Sequence, residues 1–350
     1  MAIGDSGLIS PLSYVGVGRE TTFGTYTTAT AGIHFISSSL KTLKERQTLE
    51  QIETSRTFSQ SIGLGRVIEG DLEFFVDPLN LAFGFFLQNA FGGAVTSATA
   101  TGETAGGLAF SHTFQIGTIT DQTNTSLCFN VRKGESSGGK IFEYSGMRIN
   151  ELGITAELDE AVKGTVSLMG KDSTLTANDV SSSLTSFQSS PLSFVNGRIS
   201  VETSFASLTS TSFWHVQTVE WGLGNSLKGD TDSRRIGSDT IDILPPGMAI
   251  FTFNASIRFD TTTAYDAMLA ETQLSAQLEF LGETLTTSLI RKGLRIDMPR
   301  IFVTNAGDPE IGGPDEILKA DVEFAVLRDA SSATGFAVQA LLTNLQANYD

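Results

Sequence analysis

Gly70–Gly92, GDLEFFVDPLNLAFGFFLQNAFG, decides the reading of this chain. Leu72, Phe74 and Val76 alternate with Asp71, Glu73 and Phe75, a period of two that sets one strand face against a core. Asp77 then ends the strand and is expected to cap a helix, with Pro78 just inside the first turn, where a missing N–H costs nothing. Leu79, Ala82, Phe83, Phe86, Leu87 and Ala90 follow at helical spacing, and Gly92 suits a left-handed stop.

The pattern returns at Thr252–Thr272, TFNASIRFDTTTAYDAMLAET. Phe251, Phe253, Ala255, Ile257 and Phe259 alternate with Thr252, Asn254, Ser256 and Arg258, and Asp260 is expected to cap a helix carrying Ala264, Tyr265, Met268 and Leu269. Asp77 and Asp260 lie about half a chain apart, as a duplication requires. Further on, KGTVSLMGKD (163–172) resembles KADVEFAVLRD (319–329), which matches Val166 to Val322. That offset is shorter, and an insertion in the loop region 92–124 of the first copy accounts for the difference. Two tandem β-rich units are expected: 1–175, a Ser-rich linker at 176–190, and 191–350.

A chain of 350 residues is long enough for two such units, each with its own core. Charged residues make up only 18 %, while Gly (35) and Phe (24) are abundant, a balance that favours strands and turns over helices. The formal net charge of −16 argues against wrapping nucleic acid, since gripping phosphates needs clustered Lys and Arg. The single cysteine, Cys128, excludes an intrachain disulfide and reads as a small core hydrophobe. The start, MAIGDSGLISPLS, has neither the basic residues nor the apolar run of a signal peptide, and no stretch is long enough for a membrane helix, so folding in a cytoplasm is expected.

Ser37–Ile62 is too polar to pack as a helix and reads as a long hairpin that needs surrounding protein to stay ordered. Its expected counterpart is Val219–Ile243. GVGRETTFGTY (16–26) reads as an arm able to cross to a neighbour, and Leu285–Ile290 as one of several strands of the second unit.

Signs of chemistry are few. His34, His112 and His215 are isolated, no metal-ligand spacing occurs, and neither a nucleophile elbow nor a dinucleotide loop is present. Asp230 and Asp232 stand like the start of a calcium loop but lack its central Gly and distal Glu, and Asp308–Glu316 reads as a solvated turn. Neither enzyme, cofactor nor metal is expected. A competing reading, a carbohydrate-binding or adhesin-like β-sandwich, requires Trp214 and Trp221 as exposed platforms.

Several stretches together resemble the tail tube proteins of long non-contractile-tailed bacteriophages, in the group with two tube folds per chain. They are GVGRETTFGTY, the hairpin ending in Thr54-Ser55-Arg56, the Gly70–Gly92 segment, YSGMRINELGITAELDEAVKGTVSLMGKD (144–172), VEWGLGNSL (219–227), the Phe251–Leu269 strand and helix, and the closing LLTNLQANYD. The resemblance implies a mainly β chain of two tandem β-sandwich or barrel tube folds, each with a long polar hairpin and one flanking helix. It further implies trimeric rings of pseudo-sixfold symmetry that stack into a hollow tail tube in the virion, assembled in the host cytoplasm and crossed by DNA without specific binding. The implied partners are the chain itself, tail tip, terminator and tape-measure proteins, and no membrane. Since a DNA conduit should repel phosphate, Glu45, Glu50, Glu53, Asp230, Asp232 and Asp239 become candidates to line the lumen. Lys44, Arg46, Arg56, Arg234 and Arg235 become candidates for charge pairs between subunits.

Overall fold

The structure, a computed structural model, describes residues 12–52, 57–103, 108–116, 126–134, 139–185, 190–208, 214–285, 289–307, 317–329 and 335–349. These form a mainly β protein with two α-helices, in which every strand pairing is antiparallel. The first half carries β1 (Tyr14–Glu20), β2 (Ala31–Ile33), β3 (Phe35–Ser38), β4 (Lys41–Thr48), β5 (Ser61–Phe75), α1 (Leu81–Phe91), β6 (Thr96–Thr99), β7 (Phe110–Gln115), β8 (Ser126–Lys133), β9 (Lys140–Glu157), β10 (Lys163–Gly170) and β11 (Asp172–Thr176). The second carries β12 (Gly197–Glu202), β13 (Val216–Gly224), β14 (Ile250–Arg258), α2 (Thr263–Leu269), β15 (Leu274–Thr284), β16 (Arg291–Ala306), β17 (Lys319–Val326) and β18 (Gln339–Asn344).

The two halves repeat one pairing scheme. In the first, β5 pairs with β10, β10 with β9, β9 with β8, and β8 with β1. In the second, β14 pairs with β17, β17 with β16, β16 with β15, and β15 with β12. Leu72 faces Val166, and Ala255 faces Val322. Those are the pairs that the two sequence matches, Asp77 with Asp260 and Val166 with Val322, demand jointly. Even the irregularities recur. A bulge at Asn150 between β9 and β10 returns at Thr304 between β16 and β17. The shift between Phe35 and Ser37 opposite β5 returns between Val216 and Thr218 opposite β14, and that between Leu127 and Phe129 returns between Leu274 and Ala276. A bulge re-aims the side chains beyond it, so its placement is part of a fold's design.

The helices sit where the sequence places them, but their caps differ from expectation. Asn80, not Asp77, caps α1: its side chain accepts from Ala82 N–H at 2.9 Å, and Gly92 closes the helix with φ 66°. Asp77 is turned inward, where Oδ1 accepts from Leu79 N–H and Oδ2 from Ser190 N–H. Asp260 does not cap α2 either; it lies exposed beside Arg258 and His215. Nearly all of α1 is buried, with Phe86 against Phe74 (5.4 Å between ring centroids) and Phe129 (6.2 Å). The shorter α2 buries only Ala264 and Ala267.

Two further expectations are corrected. GVGRETTFGTY is not an arm: β1 runs between β2 and β8, and Val15 and Val17 are fully buried. The expected strand Leu285–Ile290 is absent at its described residues: β15 ends at Thr284, β16 begins at Arg291, and Leu285 N–H donates to the Ile290 carbonyl at 2.7 Å. Residues 286–288 lie outside the described set.

Candidate functional site

One sheet crosses both halves. From β4 the order runs β5, β10, β9, β13, β14, β17 and β16, with β9 and β13 joining the halves through Leu152 opposite Leu223 and Ile154 opposite Trp221. Its apolar face, including Leu72, Val166, Leu152, Leu223, Phe253 and Val322, is buried. Trp221 is wholly buried and stacks on Phe91 of α1 at 6.3 Å, so it offers no sugar platform; Trp214 is half-buried against Phe324.

The opposite face is polar and open. Directly opposed residues on neighbouring strands share a face, so the pairs Asp71–Ser167, Ser167–Glu151, Thr155–Glu220, Glu220–Asn254, Asn254–Glu323 and Ser256–Asp321 trace one continuous surface across both halves. Asp71, Glu151, Glu220, Asp321 and Glu323 are all exposed on it, while Lys163, Arg258 and Lys319 lie towards one end of the strands. Where the halves meet, Gly153, Gly222 and Gly224 leave bare backbone in an open depression of about 510 Å³. The middle of this face is acidic, and the exposed apolar side chains Phe75 and Ile250 stand at the strand ends. None of its carboxylates was singled out in the sequence. The signal was there, as the polar half of each alternating strand, but alternation alone does not reveal that successive strands lie in one sheet.

The hairpin β4–β5 leaves the body as its polar sequence requires, and most of β4 is exposed. Its counterpart in the second half has a shorter ladder, β13–β14, and a longer connection, residues 225–249, which folds back against the first hairpin. Arg66 N–H donates to the Asp239 carbonyl at 2.7 Å, and the Arg66 guanidinium lies 3.1 Å from Asp172 and 3.5 Å from Asp239. Lys44 reaches Asp239 at 3.9 Å, Arg235 reaches Asp242 at 3.6 Å, and the Arg234 guanidinium occupies the space a side chain at Gly65 would need. Arg46 donates to Ser61 Oγ at 3.0 Å and is otherwise open to solvent.

The structure thus brings together Lys44, Arg234 and Asp239 at the root of the hairpin. Strand alternation sets Glu45 on the face opposite Lys44 and Arg46, while Glu50, Asp230 and Asp232 are exposed in separate loops. Glu53 and Arg56 lie outside the described residues. Apolar side chains also stand in solvent near the hairpin, notably Ile52 and Phe58, with Ile236 and Met248 on the 225–249 connection.

Away from this surface, Glu20 and His112 are among the titratable groups held inside the fold. Burial raises the carboxyl of Glu20 above its usual range, although Ser126 Oγ and the N–H groups of Gly24 and Gly146 donate to it. Burial lowers the imidazole of His112, which sits between Ser97 on one side and Asn344 with the Gln346 carbonyl on the other. Among the described residues no group of three or more His, Cys, Asp or Glu is placed to hold a metal, and no helix is long and apolar enough to cross a membrane.

Residues 11–326 match the family model described as phage tail tube protein. The chain belongs to the phage tail tube protein family. The family is a structural one, which makes this chain a component of the virion tail, and the match spans both halves of the repeat. No curated protein matches the sequence. Among solved structures, a crystal structure of Hcp protein aligns with 38 % of this chain and 86 % of its own length, at 14 % identity and a TM-score of 0.26.

Proposed function

We propose that three copies of this tail tube protein close into a ring of six similar units, and that rings stack into the hollow tube through which the phage genome passes. The observation that carries this reading is the single sheet through both halves, with one face sealed by the core and helices and the other bare and acidic. In a closed ring that bare face becomes the channel wall. Carboxylates spread over it repel phosphate at every step, so DNA is conducted without being held. Closure also removes the strand edges that would make an open sheet of this size aggregate.

On this reading the two tube folds span 1–175 and 191–350, joined by 176–190. The repeated pairing scheme and bulges support that division. The lumen-lining set then comprises the exposed acids of the sheet face together with Glu45, Glu50, Glu53, Asp230, Asp232 and Asp239 towards the hairpin end. Lys44, Arg234 and Arg235 brace the hairpin root within the chain, which leaves Arg46 and Arg56 to meet charges of a neighbour. Tail tip, terminator and tape-measure proteins are the further partners, and assembly takes place in the host cytoplasm.

Negative-stain electron microscopy of purified protein tests the reading. Rings or tubes with a central channel and threefold composition are expected. Persistent monomers at high concentration, with binding on a sugar array, would return the case to an adhesin-like module.

A further inference from the structure

The chain contains one junction between tube folds, β9 against β13, and the repeat supplies both halves of a second that the chain leaves open. The equivalent of β9 is β16, and the equivalent of β13 is β3 with β4, through the shared bulges at Asn150 and Thr304 and at Ile36 and Gln217. In β9, the stretch from Glu151 to Thr155 has β10 on one side and β13 on the other. In β16, the described part of the equivalent stretch, Asn305 and Ala306, has β17 on one side and no strand on the other among the described residues. Likewise β13 has two neighbours, while among the described residues β4 has β5 alone.

We infer that the β16 tip of one copy pairs antiparallel with β4 of the next, in the register of the internal junction. Resting on the ring reading above, this names the edges that close it. Glu151 opposite Gly224 becomes Asn305 opposite Leu43, Leu152 opposite Leu223 becomes Ala306 opposite Thr42, and Gly153 opposite Gly222 becomes Gly307 opposite Lys41. The free edge shows its need. Gly307 N–H turns towards β17, donating to the Asp321 carbonyl, so that of Ala306 turns outward and finds only the Met268 thioether, a weak acceptor, at 3.3 Å. On the other edge, a polar two-stranded hairpin is barely stable alone and gains a third strand.

Opposed residues of an antiparallel pair have Cα atoms about 4.5–5.5 Å apart, within the span of a disulfide. The double variant Thr42→Cys/Ala306→Cys, assembled and oxidised, should run on non-reducing gels as a ladder ending at a covalent trimer, reversed by reductant. Each single variant should give none, and Cys128 is buried and out of reach. Lys44→Cys/Ala306→Cys, two residues out of register, should cross-link at least tenfold less. Rings seen by electron microscopy without the Thr42–Ala306 ladder, or with the shifted pair linking equally well, overturn the junction and leave the ring reading standing. Protein that forms no rings overturns both.

Discussion

Asp77 and Asp260 occupy the same place in the repeat, yet replacing each by Ala should have very unequal consequences. Asp77 is buried, and beyond the N–H groups of Leu79 and Ser190 it faces Lys292, whose Nζ lies 3.5 Å from Oδ1. Lys292 is itself only 2 % exposed at its side chain, lies 3.2 Å from Glu283 and donates to the Ser190 carbonyl. This cluster ties the α1 junction of the first half to the β15–β16 hairpin of the second. Removing one member of a buried ion pair typically costs about 3–5 kcal/mol, because the other charge is left unpaired. Asp77→Ala also strands two backbone donors, while Glu283 relieves part of the ammonium's loss, so the expected cost stays within that range. Lys292→Met should cost less, about 1.5–3 kcal/mol, the worth of hydrogen bonds to a charged group, since Asp77 keeps its two amide donors. The double variant leaves no orphaned charge and should fall short of the sum of the singles by about 1–3 kcal/mol. Asp260→Ala removes an exposed pair with Arg258 and His215 and should shift stability little. Urea unfolding of unassembled protein at pH 7, followed by fluorescence, reads all four. Strictly additive singles, or an Asp77→Ala variant no weaker than Asp260→Ala, would refute the argument.

Other expectations follow from packing, titration and charge. A Cβ on Gly84 would lie 2.0 Å from the Tyr349 ring, so Gly84→Ala should destabilise by about 1–3 kcal/mol despite its better helix propensity, and Tyr349→Ala should relieve the clash in thermal melts. His112 has a lowered folded-state pKa, so its contribution is complete above the unfolded value of about 6.5 and is lost as the pH falls through the lower folded one. The gap in melting temperature between wild type and His112→Gln should therefore narrow between pH 7.5 and 5.5; a constant gap would count against it. Replacing Glu151 and Glu220 by Lys should leave tubes intact but make them retain DNA in a salt-dependent way, measured by co-sedimentation with short duplexes. Equal retention by wild-type tubes would remove the acidic face from the channel wall.

The duplication was legible because it rests on local alternation. Phe74 recurs as Ile257 and Val76 as Phe259, each one place removed from a polar neighbour, and a strand that buries one face must show that period. The hairpin was legible by contrast, since Ser37–Ile62 has too few apolar positions for any buried face. The caps were not. Asp77 and Asn80 are both good cap residues, and the choice between them was made by Lys292, a residue more than two hundred positions away in the chain whose buried ammonium requires a carboxylate. GVGRETTFGTY misled in the same way: its glycines suggested a loose arm, yet Gly18 has Cys128 Sγ 2.9 Å from where a Cβ would lie, so the glycines mark close packing.

The surface of interest was the least legible, for a reason internal to β-structure. Which side chains face the channel depends on register, and each bulge reverses the parity of everything beyond it. Asn150 and Thr304 are the inserted residues in equivalent strands, yet one is an amide and the other a hydroxyl, and nothing in their neighbours marks them as bulges. Counting along β9 from the buried Ile149 without the bulge would assign Glu151 to the core and Leu152 to solvent. Once the bulge is placed, Glu151 joins Asp71 and Glu220 on the open face, and Leu152 meets Leu223 beneath it. The acidic lining and the closing edge therefore depend on the same residues. An alanine inserted between Thr304 and Asn305 should invert the β16 tip, turn Asn305 inward and abolish ring closure, even though it adds a single small side chain. The monomer should still fold, because the ladder with β15 lies on the other side of the bulge. Ring formation by size exclusion beside an unchanged far-ultraviolet spectrum is the measurement, and rings that survive the insertion would mean that parity at this edge does not govern assembly.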